Sequence, residues 1–210
     1  MDKLKHKEIL NHFKKKDPKI HKVMKSLEFN EWIEPELKIL NKNKLFLALC
    51  RNIIGQQLSG KAANTIYSRF LKLFKKNEIT PVGLLKLKEQ KIRNAGISWA
   101  KIRYLKDLAL KTRNNEIKLE SLYELKDEEV ITELIKVKGI GNWTAEMILI
   151  FTLNRDNIFS FGDLGLKKGI EKVYGLQNPA QKQIEKIIAK WTPYKSFGSI
   201  ALWHSLDNLR

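Results

Sequence analysis

The segment from Leu134 to Phe151, LIKVKGIGNWTAEMILIF, constrains the fold of this chain more than any other stretch. Apolar residues recur at helical spacing on both sides of Gly139-Ile140-Gly141, which predicts two helices joined by that short sequence. Two glycines so close together let the backbone turn sharply, and they leave the amide N–H groups at the start of the second helix uncovered. The segment therefore predicts a helical hairpin whose turn binds an anion.

The rest of the chain also has helical periodicity, and strand patterns are nearly absent. The five prolines lie between the periodic segments, where a proline breaks or begins a helix at little cost. The sequence therefore predicts an all-α fold. The expected helices cover residues 5–14, 18–27, 44–56, 60–75, 81–86, 88–95, 99–112, 119–122, 127–137, 142–153, 164–174, 180–190 and 193–207.

The charge balance indicates a polyanionic partner. The chain has 210 residues and a formal net charge of +17, far more than solubility requires. Nucleic acid is the first candidate and an anionic membrane surface is the rival, but no apolar run approaches the ~18 residues that span a bilayer. The Lys-rich residues 3–26 have two interpretations, a solvated helical face, which is the more common, or an arm that contacts DNA.

Cysteine and histidine usage limits the possible cofactors. Cys50 is the single cysteine, so the chain cannot form an internal disulfide or a four-cysteine iron–sulfur cluster. The four histidines have no spacing typical of metal ligands. We therefore expect no iron–sulfur cluster and no His-based metal site.

Three features in a fixed order carry a family resemblance: the hairpin, Trp143 directly after it, and Asp163 in FSFGDLGLKKGI. Together they resemble the helix-hairpin-helix (HhH-GPD) DNA glycosylase superfamily, and within it the 3-methyladenine DNA glycosylase II branch (AlkA/MAG-like). Members that also cleave the DNA strand, such as endonuclease III, have a lysine where this chain has Trp143. Three further segments agree with the family in order: IIGQQLSGKAA, AGISWAKIRYLKDLA and WTPYKSFGSIALW.

The resemblance implies two helical lobes with the active-site cleft between them. One lobe is a six-helix barrel over residues 42–155 that ends in the helix-hairpin-helix. The second helical domain combines residues 1–41 with residues 156–210 and carries the catalytic aspartate.

Asp163 precedes an expected helix, and an aspartate there is most often an N-cap that accepts amide hydrogen bonds. The resemblance makes the same residue the catalytic group, and the two roles are compatible. Amide hydrogen bonds and the helix dipole both favour a negative carboxylate. Such a carboxylate can stabilise the oxocarbenium-like transition state of glycosidic bond cleavage, and it can orient or deprotonate the attacking water.

The resemblance also implies a base pocket formed by Trp143 and Trp203, with contributions from Tyr194 and Phe197. Each of these aromatic residues could instead belong to the core. Indole rings attract a positively charged alkylated purine through stacking and cation–π interactions of about 0.5–2 kcal/mol.

Gln56-Gln57-Leu58-Ser59 links two expected helices, and it could be only a polar turn with Ser59 as the next N-cap. The family has a wedge at this point, which fills the gap left by an extruded nucleotide. Gln57 is the first candidate for this wedge and Leu58 the second.

Phosphate contacts are expected around the hairpin and at the helix beginning near Ser98, although Ser98 could be only an N-cap. The candidates are Lys138, Gly139, Gly141, Thr144, Ser98 and Lys101. The resemblance further implies a monovalent or other hard cation bound by the backbone carbonyls of Ile135, Val137 and Ile140. No other cofactor is expected.

The resemblance thus implies a monofunctional base-excision-repair glycosylase that acts on double-stranded DNA containing damaged bases. It would flip alkylated purines of the 3-methyladenine or 7-methylguanine type, hydrolyse them off and leave an abasic site without AP-lyase activity. Two alternatives remain: the same fold acting on deaminated or oxidised bases, or a non-catalytic hairpin DNA-binding protein. We expect a monomer, located in the cytoplasm with the nucleoid in a prokaryote or in the nucleus of a eukaryote.

Overall fold

The computed structural model describes residues 3–29, 32, 42–75 and 79–207. These residues form twelve α-helices and two short 3-10 helices and contain no β-strand, which confirms the predicted all-α class. None of the helices described is long and apolar enough to cross a membrane. The α-helices are α1 Lys3–Lys16, α2 Pro18–Met24, α3 Lys42–Gly55, α4 Gly60–Leu71, α5 Pro81–Lys86, α6 Glu89–Asn94, α7 Trp99–Arg113, α8 Asp127–Leu134, α9 Asn142–Phe151, α10 Leu164–Tyr174, α11 Gln181–Ile188 and α12 Lys195–Asp207.

Two of the expected helices differ from the structure in an informative way. The helix expected over 127–137 ends at Leu134, because the chain then enters the hairpin turn. Val137 lies in that turn and is buried, so the apolar periodicity continues beyond the end of the helix. The segment expected over 119–122 is a 3-10 helix, Leu119–Tyr123.

The chain divides into two compact units. Unit 1 comprises Met1–Leu37 and Leu149–Arg210, and unit 2 comprises Lys38–Ile148. The sequence placed the boundaries after residues 41 and 155, and the second boundary of the units instead falls within α9. The six-helix barrel and the cleft between the lobes stay predictions.

Unit 2 is organised around α7. Its buried residues recur at helical spacing, which produces one apolar face that packs against α3, α5 and α6. The members of this face are Ile102, Leu105, Leu108, Ala109 and Thr112. A neighbouring face of α7 carries polar side chains that bind the end of α3 and the hairpin turn.

In unit 1, α10 packs against α12, and α2 packs against both. A buried carboxylate joins these elements, because Asp17 caps α2 and also accepts hydrogen bonds from the Tyr174 hydroxyl at 2.6 Å and from Trp191 Nε1 at 2.9 Å. Burial and the hydrogen bond to Asp17 raise the pKa of Tyr174, so its hydroxyl stays a donor. Buried polar groups with full sets of partners specify a unique packing. The network therefore fixes α10, the helix that begins after Asp163.

Close packing between α10 and α12 depends on Gly169. A Cβ at this position would lie 2.7 Å from Leu202 Cβ and 3.0 Å from the Leu202 carbonyl oxygen. The backbone oxygen cannot move aside without a shift of the helix. An alanine would therefore overpack the interface.

We predict that Gly169→Ala lowers the free energy of unfolding by about 1–3 kcal/mol, because α10 and α12 must separate to admit the methyl group. Urea denaturation followed by circular dichroism measures this change. Gly162→Ala is the matched control, since no atom lies within 4 Å of a Cβ at that position. Equal stabilities for the two variants would contradict the prediction.

Candidate functional site

Asp163 is the N-cap of α10, as the sequence predicts. Its Oδ1 accepts hydrogen bonds from the Leu166 amide at 2.7 Å and from Trp203 Nε1 at 3.1 Å. The side chain is almost completely buried, and the positive end of the helix dipole favours its negative charge. The two donors hold the carboxylate in one orientation, which is what a group that must face a developing cation requires.

The structure brings Trp203 together with Asp163. The Trp203 ring also packs against Phe151, with ring centroids 5.6 Å apart and planes tilted by 35°. Its indole is therefore fixed by a hydrogen bond at one edge and by an aromatic ring beside it.

Gly165 is a site residue that the sequence reasoning missed. A Cβ on Gly165 would lie 3.0 Å from Asp163 Oδ1 and 3.1 Å from Trp203 Nε1. The absence of a side chain thus lets the indole come close enough to donate to the carboxylate. The sequence does contain a signal for this role, because glycine is a poor helix former and yet occupies the first turn of α10.

Apolar side chains border the carboxylate along the chain. Phe161 lies two residues before Asp163 and Leu164 directly follows it, and both are exposed, Leu164 to 75%. Large exposed apolar residues often mark a surface that a ligand or partner covers. A ligand seated over these residues would exclude water and so strengthen electrostatic interactions with Asp163.

Tyr194 and Phe197, both predicted pocket residues, belong to an aromatic cluster at the start of α12. Phe197 is buried, with its ring edge-on to Phe29 at 5.4 Å. The Tyr194 hydroxyl donates to Glu8, and this hydrogen bond, with burial and nearby carboxylates, raises the pKa of Tyr194 to about 12. These contacts favour a packing role, and a contact of either residue with a base stays a prediction.

Trp143 lies in the first turn of α9 in unit 2. Its side chain is 46% exposed, whereas the next two residues, Thr144 and Ala145, are buried. An indole with an accessible surface is what stacking on a base requires. The role of Trp143 in a base pocket stays a prediction.

The predicted wedge residues form a tight turn after α3. Gln57 has φ of +57°, a left-handed conformation that costs a non-glycine residue roughly 1–2 kcal/mol. Leu58 is partly exposed, and Ser59 caps α4 by accepting a hydrogen bond from the Ala62 amide, as expected. A strained turn that presents side chains to solvent is typical of functional loops.

Lys101 holds this turn from the α7 side. Its Nζ donates to the carbonyl oxygens of Ile54 at 2.8 Å and Gln56 at 2.6 Å. Burial lowers the pKa of Lys101. Lys101 is a predicted phosphate contact, but two of its three N–H groups bind protein carbonyls at the C-terminal, negative end of the α3 dipole. Ser98, which is also a predicted phosphate contact, is the N-cap of α7.

The two glycines of the hairpin have different surroundings. Gly139 has φ of +81°, and a Cβ there would overlap the ring of Tyr104. At Gly141 a Cβ would meet no atom within 4 Å. The fold therefore requires glycine at 139, whereas the missing side chain at 141 leaves the surface open to an approaching group.

One polar face of α7 fixes the hairpin. Asp107 Oδ2 accepts hydrogen bonds from the Lys138 amide at 2.8 Å and from Lys111 Nζ at 2.9 Å, and Lys111 also donates to the Lys136 carbonyl. Burial of Asp107 opposes ionisation, but these hydrogen bonds and lysine charges outweigh it and hold the pKa of the carboxyl below its usual value. The Lys138 side chain is left exposed, where it can meet a phosphate.

Gln56 connects the turn after α3 to the hairpin. Its Nε2 donates to the Gly139 carbonyl at 2.9 Å and lies 3.4 Å from Thr144 Oγ1. The sequence reasoning missed Gln56, Tyr104 and Asp107. For the last two, the spacing of Lys101, Tyr104, Asp107 and Lys111 along one helix face was an available signal.

The candidate cation ligands are backbone oxygens in the hairpin. The Val137 carbonyl accepts a hydrogen bond from the Ile140 amide at 3.1 Å, which leaves its second lone pair for another partner. Carbonyl oxygens suit hard cations. Within the described ranges, no group of three or more His, Cys, Asp or Glu side chains could hold a metal.

Comparisons with known proteins identify the family to which the chain is similar. Residues 50–194 match the model of the HhH-GPD superfamily of base excision DNA repair proteins. A Bacillus subtilis protein named putative DNA-3-methyladenine glycosylase YfjP is 31% identical over 170 residues, covering 78% of this chain and 59% of the relative. DNA-3-methyladenine glycosylase 1 of Schizosaccharomyces pombe is 33% identical over 167 residues, covering 78% of this chain and 73% of the relative.

A solved structure is similar over almost the whole chain. It is the Schizosaccharomyces pombe 3-methyladenine DNA glycosylase Mag1 in complex with abasic DNA, with 29% sequence identity and a TM-score of 0.80. The match covers 95% of this chain and 97% of that one. The similarity therefore includes both compact units.

We predict that Gly139→Ala lowers the free energy of unfolding by at least about 2 kcal/mol, because it adds left-handed strain to a clash with Tyr104. Gly141→Ala should leave stability close to wild type, since its methyl group meets open space. Thermal and urea unfolding of both variants tests the contrast. A Gly139→Ala variant as stable as Gly141→Ala would show that the ring of Tyr104 does not restrict this turn.

Proposed function

The chain belongs to the HhH-GPD superfamily of base excision DNA repair proteins, and on that basis we propose that it is a monofunctional DNA glycosylase that excises alkylated purines. The observation that carries this proposal is Asp163, an almost buried helix-capping carboxylate that also accepts a hydrogen bond from Trp203. A hairpin alone grips phosphate, which would equally suit a protein that only binds DNA. The carboxylate with its aromatic partner supplies the means for chemistry.

In the proposed reaction the N-glycosidic bond breaks and its electron pair leaves with the purine. Positive charge then develops on the sugar, and the Asp163 carboxylate stabilises this oxocarbenium-like transition state. A water molecule adds to C1′ and loses a proton, for which Asp163 is the acceptor. The products are a free base and an abasic site.

The proposed substrates are purines of the 3-methyladenine and 7-methylguanine type. Alkylation at a ring nitrogen makes the purine positively charged and a better leaving group. Trp143 and Trp203 supply indole rings that attract such a base by stacking and cation–π interactions of about 0.5–2 kcal/mol. Selection of these lesions would then depend on their charge and reactivity rather than on hydrogen bonds to the base.

The proposed DNA grip uses the hairpin and the turn after α3. The hairpin amides around Gly139 and Gly141, with the side chains of Lys138 and Thr144, would hold a backbone phosphate. Gln57 or Leu58 would fill the gap in the stack, which offsets part of the few kcal/mol that base extrusion costs. Ser98 and the remaining donor of Lys101 are additional candidates for phosphate contact.

We further propose that the protein has no lyase activity, because Trp143 stands where strand-cleaving relatives have a lysine. Borohydride should then trap no covalent complex with DNA.

A monovalent cation on the carbonyls of Ile135, Val137 and Ile140 would add positive charge beside the bound phosphate. The enzyme would act as a monomer at the genome, in the cytoplasm of a prokaryote or the nucleus of a eukaryote.

We predict that Asp163→Asn lowers the rate of base release from methylated DNA by at least about 10²-fold, because the neutral amide cannot stabilise the cationic sugar. Chromatography of released bases measures this rate, with hypoxanthine- and uracil-containing duplexes as competing substrates. Duplex binding of the variant should persist. Wild-type release of methylpurines by the variant would refute the mechanism, and release of hypoxanthine alone by the wild type would replace the proposed substrate class.

We predict a smaller loss of excision for Trp203→Phe. The phenyl ring keeps part of the stacking surface but removes the Nε1 donor to Asp163 Oδ1, a charge-assisted hydrogen bond worth about 1.5–3 kcal/mol. Single-turnover rates on methylated duplex should therefore fall by roughly 10- to 100-fold. An unchanged rate would mean that this hydrogen bond does not position the carboxylate.

A further inference from the structure

A groove between α1 and α2 in unit 1 gathers positive charge. It has a volume of about 530 Å³, and its lining includes four lysines and two histidines. The charged and titratable members are Lys3, Lys7, Lys14, Lys25, His6 and His21. No aspartate or glutamate is among the lining residues.

The fold itself creates this convergence. Lys3, Lys7 and Lys14 share one face of α1, while Ile9 and Phe13 on the other face are buried in the core. The polar side of α2 and its C-cap residue Lys25 form the second wall. The lysines are thus held together by packing, because their helices cannot rotate without exposing the core.

The groove lysines differ from Lys5 of α1, which has a carboxylate partner. Among the described residues, no ion pair joins any of the four groove lysines to a carboxylate, whereas Lys5 of the same helix pairs with Asp156 at 2.9 Å. Burial, then the charges of Lys25 and Lys14, lower the pKa of His21, so the positive potentials of the two walls add together. Such a concentration of like charge attracts an anion.

We propose that this groove binds the phosphate backbone of duplex DNA, as a site separate from the hairpin. Lys3 and Lys14 are eleven positions apart, which is ~17 Å along a helix axis. A row of cations of that length matches a polymer with several phosphates better than a single small anion. The choice of DNA as the polyanion rests on the proposed function.

The test compares two variants that remove the same net charge. The groove variant is Lys7→Gln, Lys14→Gln and Lys25→Gln, and the control is Lys182→Gln, Lys186→Gln and Lys190→Gln, three exposed lysines in the α11 region. Affinity for an undamaged duplex is measured against salt concentration. The logarithm of the binding constant falls as the logarithm of the salt concentration rises, and each lost phosphate contact makes this slope less steep by about 0.9. The slope of the groove variant should therefore be less steep than that of the wild type by about 2.7, and the control should change much less.

A local readout accompanies the titration. The ring resonances of His6 and His21 should shift when undamaged duplex is added to the wild type, and the shift should be lost in the groove variant. Thermal unfolding of both variants checks that each is folded. Binding to undamaged duplex does not require excision, so the failure of the glycosylase proposal would be recognised separately, by absence of base release from the wild type.

Equal salt slopes for the groove and control variants would overturn the proposal, because any change in DNA affinity would then follow from the lower net charge alone. Histidine resonances that do not respond to DNA would overturn it as well. A groove variant that binds DNA as the wild type does but no longer binds vesicles of anionic phospholipid would replace DNA with a membrane surface as the partner.

Discussion

The polar face of α7 is the constraint on which the arrangement of unit 2 depends. Lys101 on this face donates to two carbonyls at the end of α3, the Tyr104 ring lies against Gly139, and Asp107 accepts a hydrogen bond from the Lys138 amide. A single rigid helix thus sets the positions of two turns that are far apart in sequence. The bond from Gln56 to the Gly139 carbonyl then joins those turns directly. Phosphate grip and base extrusion would therefore rest on one preorganised support, which reduces the entropy lost on binding DNA.

Unit 1 holds the nearly buried carboxylate of Asp163 in one orientation. The Leu166 amide of α10 and the Trp203 indole both donate to one oxygen of Asp163, and the absence of a side chain on Gly165 allows the indole to approach. The Asp17 network fixes the other end of the same helix through Tyr174. The helix is thus anchored at both ends. A carboxylate supported in this way needs little reorganisation when charge develops in front of it.

Much of this could be predicted from the sequence, because periodicity and capping are local properties. The helices, the caps at Ser59, Ser98 and Asp163, and the family follow from short patterns. The end of α8 was misplaced, since the buried Val137 continues the apolar period into the turn. Gly165, Gln56 and the internal use of Lys101 depend on contacts between distant segments, which a single sequence does not reveal.

The central claim is that Asp163 stabilises positive charge on the sugar, and binding of transition-state mimics tests it most directly. The measurement compares dissociation constants for duplexes that carry either a neutral abasic-site analogue or a pyrrolidine analogue whose ring nitrogen is cationic. The wild type should bind the cationic duplex at least about 10²-fold more tightly, and Asp163→Asn should lose most of that preference while still binding the neutral duplex. Equal preference in the two proteins would contradict the account.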